Sequence, residues 1–247
     1  MQPKVKPKLP PLRRLLLPGI ALLLILLDVI ALIPNVTTPL ERLDLTTRDT
    51  MFRIRGEQDP GDQIVIVGID DFSFNWTGYQ WPWPRAYLAE IVEWLNRAGA
   101  RVIGMDIFLF EADPDPSGDE ALAQALADAQ ASVSVVHIYD YQEEVAPGQY
   151  LVSRTIKLPL PAFRGSLDSV GITSIWRDDD AIARSIQAYQ KFGDSTYIHW
   201  AFEIARLYLG VDPAVITSST AIEFNNHPVP LQAGKLLINY RGPTETF

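Results

Sequence analysis

Apolar residues run from Leu15 to Ile33 as LLLPGIALLLILLDVIALI, with Asp28 as the one charged position. A helix of that length, rising about 1.5 Å per residue, spans roughly 28 Å, close to the hydrocarbon thickness of a bilayer. A buried soluble helix is seldom Leu-rich on every face, so the pattern predicts a transmembrane helix over residues 15–33, closed by Pro34 and Pro39. The segment 41-ERLDLTTRDTMFRIRG-56 then spaces Leu43, Leu45, Met51, Phe52 and Ile54 as a short amphipathic helix, and 57-EQDPGDQ-63 reads as a turn-rich linker.

Beyond the linker the period changes. The run 64-IVIVGID-70 is continuous and β-branched, as in a strand buried on both faces. Pro84 opens a helix over 85–99 that places Leu88, Ile91, Val92, Leu95 and Ala98 on one face and stops at Gly99. The run 102-VIGMDIFLF-110 is a second apolar strand, and strand, helix and strand in this order predict a right-handed βαβ unit with parallel strands. Ser117 and Glu120 form a capping-box pattern ahead of a helix over 119–131, and 132-SVSVVHIYDY-141 reads as a third strand. Segments 151–158, 169–176 and 182–191 read as shorter strands and 196–210 as a helix ended by Gly210. Residues 221–224 and 235–242, with the Asn225-Asn226 turn, suggest a terminal hairpin. The expected fold class is α/β: a mixed sheet built on an N-terminal parallel βαβ unit, with antiparallel hairpins later, preceded by one transmembrane helix. Its expected parts are a basic tail (1–14), the transmembrane helix (15–33), a membrane-proximal linker and helix (34–62) and an outer domain (63–247).

Charge orients this arrangement. Lys4, Lys6, Lys8, Arg13 and Arg14 give the first 14 residues +5; the whole chain is −9, which leaves −14 for the rest. The positive-inside rule puts the N-terminus in the cytoplasm and everything after Ile33 outside. A cleavable signal peptide is the competing reading, against which apolar residues continue past Asp28 and no small-x-small site follows. Asp28 marks either a partner helix or a carboxylate reaching the outer interface. The acidic body argues against a nucleic-acid partner. With no cysteine, disulfides, Cys-ligated zinc and thiol nucleophiles are excluded.

The candidate chemistry is acidic and aromatic. Asp70, Asp71 and Asp106 fall at the C-terminal ends of the two expected parallel strands, the edge where open α/β sheets bind ligands. Side chains alternate along a strand, so one of Asp70 and Asp71 shares a face with Asp106. Such a pair needs a proton, a cation or an arginine between its members, and Arg85 is the nearest candidate. The functional reading is a metal or polar-ligand site of Asp70 or Asp71, Asp106 and Glu111; the structural reading is a set of caps and ion pairs that hold the sheet edge closed. Trp81-Pro82-Trp83-Pro84 holds both indoles on a stiff backbone, suited to stacking on a flat ligand, docking a partner or pinning the helix start. Gly68 and Gly104 belong to no phosphate-binding pattern, and His137, His199 and His227 show no ligand spacing. No residue is assigned as catalytic or as a metal ligand, and no cofactor is expected.

Taken together, 65-VIVGIDDFSF-74 and 81-WPWPRAYLAEIVEWLNRAGARVIGMDIFLFEADP-114 resemble a CHASE domain of the second type (CHASE2), the cyclase/histidine-kinase-associated sensory extracellular class. That family's pattern has a strand ending in I-D-D/x-S, then W-P-W-P/S-R, a helix ending A-G-A, and V-I-x-x-D-I-x-F-x-E. The stretch 178-DDDAIAR-184 is similar to its later D-x-D-G-x-x-R, with Ala181 where Gly is usual, and 238-INYRGP-243 is similar to a late signature. The resemblance covers roughly residues 40 to 247. It implies a periplasmic or extracellular domain at the bacterial plasma membrane that senses a signal for a cyclase, histidine kinase or Ser/Thr kinase output. In the family, further transmembrane helices usually precede that output, so this chain reads as a fragment of such a receptor or a member without its effector. The expected partners are the bilayer through residues 15–33, an unidentified small-molecule or protein signal, and a second copy of the chain. An envelope scaffold module and a metal-dependent envelope hydrolase are the alternatives.

Overall fold

The computed structural model of the chain describes residues 39–146, 149–178 and 180–243, together with 18–20, 22 and 25. The described chain divides into two units: residues up to 65 with those from 240 onward, and residues 66–239. In the first unit, Pro39–Arg55 form helix α1, as the amphipathic spacing predicts, although Leu43, Met51 and Ile54 remain exposed. Phe52 meets Tyr240 edge to face at 6.3 Å, Arg55 donates to the Tyr240 carbonyl, and the Gln58 N–H donates to the Arg241 carbonyl at 2.7 Å. The transmembrane helix expected at 15–33 lies largely outside the described residues. Residues 18–20, 22 and 25 are helical, and among the described residues no helix is long and apolar enough to cross a membrane.

The second unit is built around a short parallel sheet. Helices α2 (Asp71–Thr77) and α3 (Arg85–Arg97) lead to strand β1 (Ile103–Met105), and helix α4 (Pro116–Asp128) leads to the long strand β2 (Ser132–Ala146). Strand β3 (Gln149–Lys157) folds back antiparallel on the outer half of β2, and the short helix α5 (Pro161–Arg164) leads to β4 (Ser169–Ile172). Strands β1 and β4 flank the inner half of β2, both parallel to it. The central position of β2 follows from Val133, Val135 and Val136, which are fully buried β-branched residues. A reciprocal clasp aligns β2 with β4: the Ser132 N–H donates to Asp168 Oδ2 at 2.8 Å, and the Asp168 N–H to the Ser132 carbonyl at 3.0 Å.

Alternation along β1 sorts the layers. Ile103 and Met105 join a core with Leu88 and Val92 of α3, Leu122 and Leu126 of α4, Leu109 and Phe163. Fully burying a side chain such as Leu109, Leu122, Leu126 or Phe163 contributes about 2 kcal/mol. Gly104 faces the other way, toward helix α6 (Trp200–Leu209). A Cβ on Gly104 would lie 2.5 Å from Ile204 Cδ1, and one on Gly171 in β4 would lie 2.5 Å from Trp200 Cα, so both glycines let α6 lie against the sheet.

The remaining elements are antiparallel. Strands β5 (Ile175–Arg177) and β6 (Ala183–Gln187) form a hairpin whose other edge takes β12 (Lys235–Leu237). Strands β7 (Tyr189–Phe192) and β8 (Ser195–Ile198) pair with each other, and β9 (Val215–Ser218), β10 (Ala221–Phe224) and β11 (His227–Pro230) make a third small sheet. The expected Asn225-Asn226 turn is present, both residues having positive φ (51° and 60°), as a two-residue hairpin requires.

The class, a mixed α/β fold with a parallel sheet and antiparallel hairpins, follows the sequence; several elements do not. Residues 64–70 pair with no described strand, and Ile64, Val65, Ile66 and Val67 are exposed, so the parallel βαβ unit is β1–α4–β2, one step later in the chain than expected. Strand 102–110 shortens to β1 because the chain then leaves β2, and the Leu109 carbonyl accepts instead from the Leu160 N–H at 2.8 Å. Helix α4 starts at Pro116 because Asp115, rather than Ser117, caps it, accepting from the Ser117 N–H at 3.0 Å. Segments 169–176 and 182–191 each split into two strands, and of the helix expected over 196–210 residues 196–198 belong to β8 while Trp200–Leu209 are helical. Strand β12 pairs with β6, and the Asn225-Asn226 hairpin joins β10 to β11 instead.

Candidate functional site

The segment from Asp70 to Arg85 sets the local geometry. Asp70 is extended (φ −125°, ψ −176°) and caps α2, accepting from the Ser73 N–H at 2.9 Å, while Ser73 reaches back to the Asp70 N–H. The Ser73 backbone N–H, with its hydroxyl second, holds the Asp70 carboxyl below its ordinary range. Asp71 is the exposed first residue of α2. Gly78 (φ 72°) ends this helix in the left-handed conformation that favours glycine. Trp81, in a cis peptide with Pro82, is half exposed. Trp83 is buried, edge to face with Phe74 at 6.0 Å and with Tyr87 at 5.2 Å.

Arg85 is buried, and its partner is not one of the carboxylates expected. Its Nε lies 3.5 Å from Asp119 Oδ1, and its Nη2 donates to the carbonyls of Phe108 at 3.4 Å and Glu111 at 3.3 Å. Its backbone N–H donates to Asp113 Oδ2 at 2.8 Å, which caps α3, and the Asp113 N–H donates to Asp119 Oδ2 at 3.0 Å. Asp113 and Asp119 were missed in the sequence, because helical register on α4 and a loop, not proximity in sequence, bring them to Arg85. Thus Arg85 and the Glu111 main chain come together, while Trp83 packs on Phe74 and Tyr87. Arg85 thus pairs with Asp119 rather than with Asp70, Asp71, Asp106 or Glu111, and among the described residues no three Asp, Glu or His side chains gather as a metal site would need.

Asp106 follows β1 and keeps an exposed surface, yet desolvation raises its carboxyl above the ordinary range. Beyond it in sequence, Phe108 and Phe110 form a row of rings with His137 and Tyr139 of β2. Phe108 stacks on Phe110 at 4.6 Å and lies 5.5 Å from His137, which stacks on Tyr139 at 5.1 Å, and Lys157 sits over Phe110 at 5.6 Å. The i, i+2 spacing of Phe108 with Phe110 and of His137 with Tyr139 was the available signal for this row. A raised carboxyl, a cation and stacked rings suit recognition of a flat polar ligand. They do not supply a nucleophile with its base, and among the described residues no three His, Asp or Glu side chains gather as a metal would require.

A second polar cluster holds the β5–β6 hairpin. Buried Arg184 pairs with Asp178 at 2.9 Å and Asp180 at 2.7 Å, and hydrogen bonding from Arg184 takes the Asp180 carboxyl down to about 2. Ala181 in the turn has φ 63°, the left-handed conformation that explains glycine at this place in the pattern noted above. His199 is buried and caps α6 through Nδ1, which accepts from the Ala201 N–H at 3.3 Å; burial pushes its imidazole down to about 4.

A family model described as the CHASE2 domain matches residues 20–247. No curated protein and no solved structure matches the chain.

Proposed function

The chain belongs to the CHASE2 family, a family of sensory domains that are not catalytic, and from that membership we propose that it is the extracytoplasmic signal-sensing input domain of a membrane-bound receptor. The match over residues 20–247 is the observation that carries this reading. Residues 15–33 serve as the membrane anchor, with the basic tail 1–14 in the cytoplasm, residues 34–62 as the membrane-proximal segment and residues 63–247 outside the plasma membrane. The ligand edge is the surface around Asp106, with Glu111, Trp81 and the ring row from Phe110 to Tyr139. Arg85 and Trp83 hold that edge from beneath, and Asp70 and Asp71 flank it at the start of α2. A signal bound there shifts the protein between two arrangements by its differential affinity for them, and a dimer transmits the shift to the anchors.

The test is a thermal-shift screen of the full chain in mild detergent against divalent cations and small envelope metabolites, beside Asp106→Ala. A compound at about 100-fold over its dissociation constant stabilises the folded state by roughly 2.7 kcal/mol. A shift that Asp106→Ala abolishes is the expected result. A shift that survives in Asp106→Ala, or no shift with any compound, rejects this edge as the small-molecule site. A second reading, a scaffold that docks another envelope protein, is favoured by Phe72 and Trp76, exposed and stacked at 6.2 Å on α2. Capture of one specific partner, lost in Trp76→Ser, supports that reading.

A further inference from the structure

Two features of the second unit lack partners that match each other. Strand β1 pairs with β2 on one side, and no described strand lies along its other edge. Residues 66–69 lie outside any strand; Ile66 and Val67 are 67% and 55% exposed, and among the described residues neither has a hydrogen-bond partner. Backbone N–H and C=O groups in an apolar β-branched run seek a ladder, and such a run suits an interior position of a parallel sheet. Ile69 already packs against the core that contains Ile103 and Met105, and Asp70 is still extended.

We propose that residues 66–69 dock on the free edge of β1 as a fourth parallel strand, with Asp70 coming alongside Asp106. Side-chain alternation selects the register. Ile103 and Met105 face the α3 and α4 core, so Ile69, packed in that core, belongs level with Met105 and Val67 with Ile103. Gly68 then sits level with Gly104, on the face where α6 leaves no room for a Cβ at residue 104. The main chain agrees with this register. The Ile103 N–H donates to the Ala131 carbonyl on the β2 side, so the polar groups of Gly104 point to the free edge. There the Gly104 N–H meets the Val67 carbonyl, and the Ile69 N–H meets the Gly104 carbonyl. Helices α2 and α3 lie between the two strands in sequence and supply the crossover that a parallel pair needs.

Docking closes the sheet edge and also builds a site. Neighbouring strands lie about 4.8 Å apart, so Asp70 and Asp106 stand side by side while Asp71 turns to the opposite face. Two carboxylates so placed repel unless a proton or a cation lies between them. Docked and undocked arrangements are therefore the pair of states that a signal can bias. That last step rests on the sensory reading; the docking itself does not.

The chain has no cysteine, so an introduced pair reports without background. In the full chain, Asp70→Cys with Asp106→Cys removes the repulsion and meets the roughly 4.4–6.8 Å Cα separation that a disulfide needs. Under mild oxidation this pair should close at least about 10-fold faster than Asp71→Cys with Asp106→Cys, whose side chains face apart. In the unsubstituted chain, residue-resolved hydrogen exchange should show the Val67 and Ile69 amides protected at least about 100-fold relative to Ile66 and Gly68. Equal closure of the two cysteine pairs overturns the register. Fast, uniform exchange across the four amides overturns the docking. Neither readout uses a ligand, so a failed ligand screen leaves both intact and tells only against this edge as a small-molecule site.

Discussion

The seating of α6 on the sheet can be tested at Gly171 and Gly104, which differ in what a methyl group would strike. At Gly171 an added Cβ would lie 2.5 Å from Trp200 Cα, 2.6 Å from its N and 2.9 Å from the Ile198 carbonyl oxygen. Carbon contacts relax only near about 3.5–4.0 Å, so α6 has to withdraw by about 1 Å, and main chain has no rotamer to change. Overpacking costs about 1–3 kcal/mol, and an obstacle of this kind belongs near the upper limit. At Gly104 the nearest atom, also at 2.5 Å, is Ile204 Cδ1, the tip of a side chain, with Trp200 Cζ3 next at 3.0 Å. Moving it costs about 1 kcal/mol of rotamer strain. Both alanines reduce the freedom of the unfolded chain by a similar amount, worth about 0.4–1 kcal/mol, which cancels in the comparison. Gly171→Ala should therefore be about 2 kcal/mol less stable than Gly104→Ala, which lowers its urea midpoint by roughly 1 M at an unchanged slope. Unfolding can be followed by tryptophan fluorescence, since Trp200 lies at the contact. Equal midpoints, or a larger loss for Gly104→Ala, would refute the seating of α6 directly on the β4 backbone.

Three further outcomes are expected. His199 is held neutral in the fold, with its pKa at about 4 against 6.5 for the unperturbed group, so its contribution is complete above pH 6.5 and is lost as pH falls toward 4. The loss is about 3 kcal/mol in urea titrations, and His199→Asn, which keeps an acceptor at the cap, should flatten this part of the pH profile. Ala181→Gly relieves a left-handed alanine, which costs about 1–2 kcal/mol, against about 0.5–1 kcal/mol of added unfolded-state freedom; calorimetry should show Tm rising by roughly 2 °C, and a fall would count against the turn conformation. Arg85→Met strands Asp119 and should cost about 3 kcal/mol in chemical unfolding, whereas adding Asp119→Leu should recover part of it; no recovery would mean the pair does not act as a unit.

Local chemistry was legible wherever a single stretch decided it. The helix that begins after Pro84, the left-handed stop at Gly210 and the Asn225-Asn226 turn each depend on a few neighbouring residues. The alternation of strand and helix patterns carried the mixed α/β class, and short motifs placed the chain in its family, whereas the Arg184 ion pairs to Asp178 and Asp180 came only from the structure. Pairing was not legible, because a ladder is chosen by what lies across it. The IVIV run satisfies every local requirement of a buried strand, yet among the described residues no strand pairs with it in this arrangement, while β12 joins β6 rather than the hairpin next to it. The site divides in the same way. Sequence alone marked Asp70, Asp71, Trp81, Trp83, Arg85, Asp106 and Glu111 as the residues with chemistry to offer. Only tertiary structure turned Arg85 inward to Asp119, buried Trp83 while leaving Trp81 half exposed, and brought Phe108 against His137 of β2. The physical reason is range: caps and turns are set within about four residues, whereas desolvation and ion pairing depend on neighbours that only the packed chain supplies.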